Sequence, residues 1–165
     1  MGEKRPICYE ELIETIKPTY EQMNLWSEKF ENLLDDEGGR KLFTEFLQQE
    51  HSLENLLFWS EVESLRQMFL STDISAVTEK ARTLYTDFVK PMAVNEVNIA
   101  GKTRKEIEEQ LELEHITSDI FDAAQGQVYS LMHRQSYPRF LVSDLFKSVL
   151  QSTYADEVVA LTTSL

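Results

Sequence analysis

Apolar residues recur along this chain at the three- and four-residue spacing of helices, and no alternating run of strand length interrupts them. The pattern predicts an all-α fold. Its clearest stretch, Ser75 to Lys90, sets Val77, Ala81, Leu84, Tyr85 and Phe88 on one stripe before Pro91 stops it. A second helix is expected to begin near Ser52 and to bury Phe58, Val62, Leu65 and Phe69, with Leu56 and Trp59 widening the face. Trp26, Phe30, Leu33 and Leu34 read as one amphipathic segment. It ends in Asp35-Asp36-Glu37-Gly38-Gly39, where glycine is free to adopt the left-handed conformation that closes helices. Leu42, Phe43, Phe46 and Leu47 form the next helix.

After Pro91 the stretch Met92 to Gly101 loses periodicity and reads as a loop. Thr103 and Glu106 then carry the spacing of a capping box, predicting a short helix with Ile107 and Leu111 on its buried side. From Ser118, a candidate N-cap, the positions Phe121, Ala124, Val128, Leu131 and Met132 define a long helix. Gly126 inside it costs about 1 kcal/mol relative to alanine, which close backbone packing would explain. Ser136-Tyr137-Pro138-Arg139 interrupts and restarts the pattern, since proline suits a first helical turn, and Phe140, Leu141, Leu145, Phe146 and Val149 continue it. Tyr9 to Lys17 and Tyr154 to Leu161 read as shorter flanking helices. The expected division is an N-terminal helical extension over 1–18, a main domain over 19–151 and a C-terminal helix or tail over 152–165.

Composition narrows the function classes. A chain of 165 residues buries roughly two-thirds of its unfolded surface without help from metals or crosslinks. An apolar share of 42%, with nine Phe, six Tyr and two Trp, excludes a disordered chain. Lys and Arg number 16 against 29 Asp and Glu, a net charge of −13 that repels phosphate backbones, so nucleic acid is not an expected partner. The lone cysteine, Cys8, has no partner for a disulfide, which points to a reducing, cytoplasmic setting. No apolar run approaches the roughly 20 residues that span a bilayer. Met1-Gly2 resembles a myristoylation start, but Pro6 stands where that motif wants Ser or Thr. His51, His115 and His133 share no helical ligand spacing, and neither a nucleophile triad nor a phosphate loop is visible. No metal, cofactor or catalytic site of the chain's own is therefore expected. The acidic run Asp35 to Glu37 reads as a solvated turn.

Several strings, in order, resemble the RGS family, the regulators of G protein signalling. They are Trp26 to Leu34, Phe46-Leu47 followed by Glu50-His51-Ser52-Leu53-Glu54-Asn55-Leu56-Leu57-Phe58-Trp59, Glu96-Val97-Asn98, and Ser136-Tyr137-Pro138-Arg139-Phe140-Leu141. The resemblance covers roughly Thr19 to Gln151 and implies a bundle of about nine helices whose loops at one end bind the switch segments of an active Gα subunit. It implies contact residues Glu50, Ser52, Glu54 and Asn55 in a first loop, Asn98 in a second, and Leu131, Gln135 and Arg139 in a third. It further implies a monomer that speeds GTP hydrolysis by Gα; how it reaches the plasma membrane, by a partner, a lipid modification or simple diffusion, is left open by the sequence. The family's third loop usually carries an aspartate where this chain has Gln135; that aspartate pairs with the arginine at position 139. Leu53 stands where many relatives have a glutamate, and His51 where an aromatic is common. These departures keep open a Gα-binding or scaffolding module with weak or no activation.

Each site residue also has a plainer reading. Ser52, Glu54 and Asn55 suit a helix start, Asn98 an ordinary turn, and Leu131 an apolar stripe. Arg139 could bond helix-end carbonyls or a nearby carboxylate.

Overall fold

The computed structural model describes residues 9–70 and 73–164; Cys8 and the Met1-Gly2 start lie outside them. Ten α-helices and two π-helical turns account for the regular structure of the described residues, and no strand occurs among them. The fold is all-α. Contacts divide the helices between two units, Met1–His51 with Gln135–Leu165, and Ser52–Arg134.

In the first unit, α1 (Tyr9–Ile16) is closed by Lys17 at φ 45°. Helix α2 (Tyr20–Glu28) opens on a reciprocal capping box: the Thr19 hydroxyl accepts from the Gln22 amide at 3.1 Å, and Gln22 Oε1 accepts from the Thr19 amide at 2.9 Å. The stripe Trp26, Phe30, Leu33 and Leu34 is buried as its spacing predicts, but it belongs to two helices. Extended backbone at Lys29 separates α2 from α3 (Phe30–Asp35). Asn32 Nδ2 donates to the Leu25 carbonyl at 3.0 Å, which satisfies a carbonyl freed at that break.

The expected glycine turn is not a left-handed one, because no described glycine has positive φ. Asp36 instead caps α4 (Glu37–Gln49), accepting from the Gly39 amide at 3.0 Å, and Gly38 and Gly39 lie in its first turn. Their use is proximity. A Cβ on Gly39 would stand 2.5 Å from the Leu33 carbonyl oxygen and 3.2 Å from the Trp26 ring. Leu42, Phe43, Phe46 and Leu47 of α4 are buried.

Helix α9 (Tyr137–Leu141) has Pro138 in its first turn, as proline's fixed φ favours. Phe140 packs its ring 5.3 Å from Phe43 and 5.1 Å from Phe146, centroid to centroid. The Tyr137 hydroxyl donates to the Trp26 carbonyl at 2.7 Å. Tyr154 to Leu161 is not a separate helix: α10 runs unbroken over Asp144–Thr163 from its Ser143 cap. Its buried residues stop at Thr153, so the apolar positions after it face solvent.

The second unit begins with α5 (Glu54–Met68), one residue later than a Ser52 cap predicts, since Leu53 stands at the cap without a side-chain bond. Phe58, Val62 and Leu65 are buried, while Trp59 and Phe69 are only half-buried. The helix expected from Ser75 starts one residue earlier: Asp73 caps α6 (Ile74–Leu84), accepting from the Ser75 and Ala76 amides. Beyond Leu84 the helix widens into a π turn, Tyr85–Val89, closed by the Lys90 amide donating to Tyr85 O at 2.7 Å.

Helix α7 (Gly101–Glu112) is longer than expected and takes Gly101 from the loop. The capping box is absent. Thr103 sits buried inside the first turn and its hydroxyl is engaged elsewhere, by Gln127 Nε2 at 2.7 Å. Helix α8 (Asp122–Leu131) starts after Phe121; Ser118 lies in the preceding turns. A π turn follows at Met132–Ser136. Phe58 meets Phe88 at 5.7 Å and Phe121 at 6.1 Å, a ring cluster joining α5, the first π turn and the entry to α8. Gln125 ties α8 to α5 by donating to the Trp59 carbonyl and Glu63 and accepting from Arg66.

Gly126 needs no close approach, since nothing lies within 4 Å of a Cβ built there. Gly126→Ala should therefore stabilise the protein by about 0.5–1 kcal/mol. Gly39→Ala should destabilise it by about 1–3 kcal/mol. Urea midpoints compare the two directly.

Tyr137→Phe leaves the Trp26 carbonyl unpaired and should cost about 1–3 kcal/mol at neutral pH. Burial, aided by the charge of Glu31, pushes the Tyr137 hydroxyl up to about 12. Its contribution is thus complete below the unfolded value of about 10 and declines as pH rises towards 12. Over that interval the gap between the unsubstituted protein and Tyr137→Phe should narrow in denaturation curves.

Candidate functional site

Three of the eight candidate residues lie in the first unit. Glu50 is the C-cap of α4, its amide donating to Phe46 O at 3.0 Å. His51, next to it, holds φ 55°, a left-handed conformation that turns the chain sharply. Arg139 projects from α9 and places its Nε 3.0 Å from Glu50 Oε2. A nearby carboxylate is therefore the partner of Arg139, and it comes from position 50 rather than 135. Gln135, in the π turn after α8, is exposed.

The other five belong to the second unit. Ser52 and Glu54 are half-buried at the start of α5, where a carboxylate complements the positive end of the helix dipole. Asn55 retains only 4% of its surface. Two oxygens here, Ser52 Oγ and Asn55 Oδ1, are buried without a hydrogen-bond partner among the described residues. The plain helix-start reading does not account for them, since neither side chain caps α5.

Asn98 stands in the 91–100 loop between two buried residues, Val97 and Ile99 at 0% and 8% exposure, and this alternation presents it to solvent. The loop is fastened along its length. Carbonyls at the end of the π turn accept from it, Asp87 O from Asn95 N–H at 3.1 Å and Phe88 O from Val97 N–H at 2.9 Å. The Glu96 carboxylate accepts from the Met92 amide, which steadies Met92 at φ 64°, and also from Arg104 on α7 at 2.8 Å. On the far side the Ala100 amide donates to Gln127 Oε1 at 2.7 Å. Leu131 lies one turn beyond Gln127 on the same face of α8 and is half-buried, so it is neither a full core residue nor a free one. Phe58, one turn after Asn55, meets Phe88, whose carbonyl holds Val97. Phe88 thus joins α5, which carries Asn55, to the loop that carries Asn98.

A family model described as the Regulator of G protein signaling domain matches residues 29–149. The chain belongs to the RGS family. It is similar to Regulator of G-protein signaling rgs-2 of Caenorhabditis elegans, 40% identical over 133 residues, which cover 81% of this chain and 76% of that one. The match to Regulator of G-protein signaling 20 of Gallus gallus is 40% over 139 residues, 84% of this chain and 62% of the other. Against the Homo sapiens protein of the same name it is 39% over 139 residues and only 34% of the other chain, so this RGS domain spans about a third of that relative.

The RGS strings acquire physical roles. Tyr137 and Phe140 of S-Y-x-R-F-L serve the core of the first unit, while Arg139 between them points out of it. Among the described residues no helix is long and apolar enough to cross a membrane. Sequence reasoning missed Gln127, Arg104 and the second function of Glu96; nothing local marks them, because their partners lie 8 to 27 positions away. With Arg139 52% exposed and Glu50 36%, their pair should contribute less than about 1 kcal/mol. Glu50→Gln and Arg139→Ala should both unfold within about 1 kcal/mol of the unsubstituted protein, measured by thermal melts in low and high salt.

Proposed function

We propose that this RGS domain binds the switch regions of an active Gα subunit and accelerates its GTP hydrolysis. The observation that carries the reading is the pair of buried, unpartnered oxygens on Ser52 and Asn55. An unpaired buried oxygen costs about 1–3 kcal/mol, and a docked partner presenting N–H donors recovers that cost. Glu54 beside them and Glu50 in the other group offer charged acceptors, and exposed Asn98 offers an amide that both donates and accepts.

A Gα subunit already carries its catalytic arginine and a glutamine that orients the attacking water. The regulator supplies no reacting group. Asn55 and Asn98 hold switch backbone and that glutamine near their transition-state positions, lowering the reorganisation needed when the phosphoryl bond breaks. Stronger binding of the transition state than of the ground state is the whole of the acceleration. Leu131 adds apolar contact, and Arg139 acts through Glu50 by fixing its carboxylate.

Exposed, uncharged Gln135 favours a second reading, in which Gα is bound but hydrolysis is hardly accelerated. Single-turnover hydrolysis with representatives of each Gα class separates the two. Asn98→Ala, at an exposed position, should lose at least about tenfold of the acceleration with unchanged helical circular dichroism; full acceleration in that variant rejects this surface. Gln135→Asp should strengthen Gα binding by about fivefold, the gain from a neutral to a charge-assisted bond. Tight binding with no rate change in the unsubstituted protein selects the second reading.

A further inference from the structure

We propose that Gln127 is a positioning residue for Asn98, an inference that rests on the function proposed above. Helix α7 begins at Gly101 with Ala100 at its cap, and no side chain caps it from within. The cap comes from another helix. Gln127 on α8 accepts the Ala100 amide through Oε1 and donates through Nε2 to the Thr103 hydroxyl, both at 2.7 Å. One planar amide thereby grips the last residue of the loop and the first turn of the helix after it, and its own depth is fixed by buried Thr103.

The consequence falls on Asn98. Upstream, the Val97 amide is held by Phe88 O; downstream, the Ala100 amide is held by Gln127. Only Asn98 and Ile99 lie between these fixed points, and Ile99 is buried. Releasing the downstream amide leaves the Asn98 backbone held by Val97 upstream and, downstream, only by buried Ile99 and the Arg104 amide donating to Ala100 O at 3.1 Å. A hydrogen-bonding amide that must meet a transition state to within a fraction of an ångström is sensitive to such freedom. A glutamine gripping two groups also differs from a point charge: an alanine removes both bonds, and a glutamate keeps the acceptor for Ala100 but loses the donor to Thr103.

The test is single-turnover GTP hydrolysis by a Gα that the unsubstituted protein accelerates, together with amide hydrogen exchange over residues 98–103. Gln127→Ala should reduce the acceleration by about five- to tenfold and speed exchange in that segment, with Gα affinity changed less than the rate. Adding Ala100→Asp should restore both, because an aspartate at an extended cap position accepts from the Lys102 or Thr103 amide and fixes the turn from inside. Ala100→Asp alone should behave like the unsubstituted protein. Full acceleration in Gln127→Ala overturns the proposal, and so does a loss that Ala100→Asp leaves unrepaired while exchange returns to normal. If Asn98→Ala is also fully active, or no Gα is accelerated by the unsubstituted protein, the proposed function itself fails and this role fails with it.

Discussion

The first unit depends on one contact made across most of the sequence: Tyr137 and Phe140 closing onto Trp26, Phe30 and Phe43. Residues 111 positions apart share the Tyr137 to Trp26 hydrogen bond. Phe30 lies 5.0 Å from the Tyr137 ring and 5.6 Å from Phe43, so α9 adds its rings to an apolar surface that α3 and α4 already share. Helices this short are not stable alone, and tertiary burial is what holds them. The arrangement also explains why the break at Lys29 is tolerated: a straight helix from Tyr20 to Asp35 would carry Trp26 and Phe30 on one line rather than around a common partner.

The second unit solves a different problem. Its rings, Phe58, Phe88 and Phe121, fix α5 and α8 about a π turn, and that turn matters for the carbonyls it releases. A helix end leaves acceptors without partners. Here Asp87 and Phe88 spend theirs on the 91–100 loop, so the end of a helix becomes the foundation of the segment bearing Asn98.

Much of this was legible in the sequence, and what was not fails in a consistent way. Spacing located the buried faces of α4, α5, α6 and α8 because periodicity reports burial wherever the helix is continuous. It joined Trp26 to Leu34 into one helix because the period survives the break. Thr103 and Ser118 were misread as caps, since a local signature cannot show that a hydroxyl is taken by Gln127 or that a helix starts a turn later. The pairing of Arg139 with Glu50 was open for the same reason: the partner lies on another helix. Of the candidate site residues, the string around Asn55 was evident in the sequence, but its unpaired oxygens were not, because burial is a property of the folded chain.

The alternation at Val97, Asn98 and Ile99 gives the loop a parity. Successive side chains in extended backbone point to opposite sides. A loop one residue longer or shorter, with both ends still fastened, would turn the asparagine inward and set a valine or isoleucine in water. The exposed side chain of Val94 is free to vary in kind, whereas the number of residues between Phe88 and Ala100 is not. In this segment the length of the chain, as well as the asparagine itself, sets where the Asn98 side chain points.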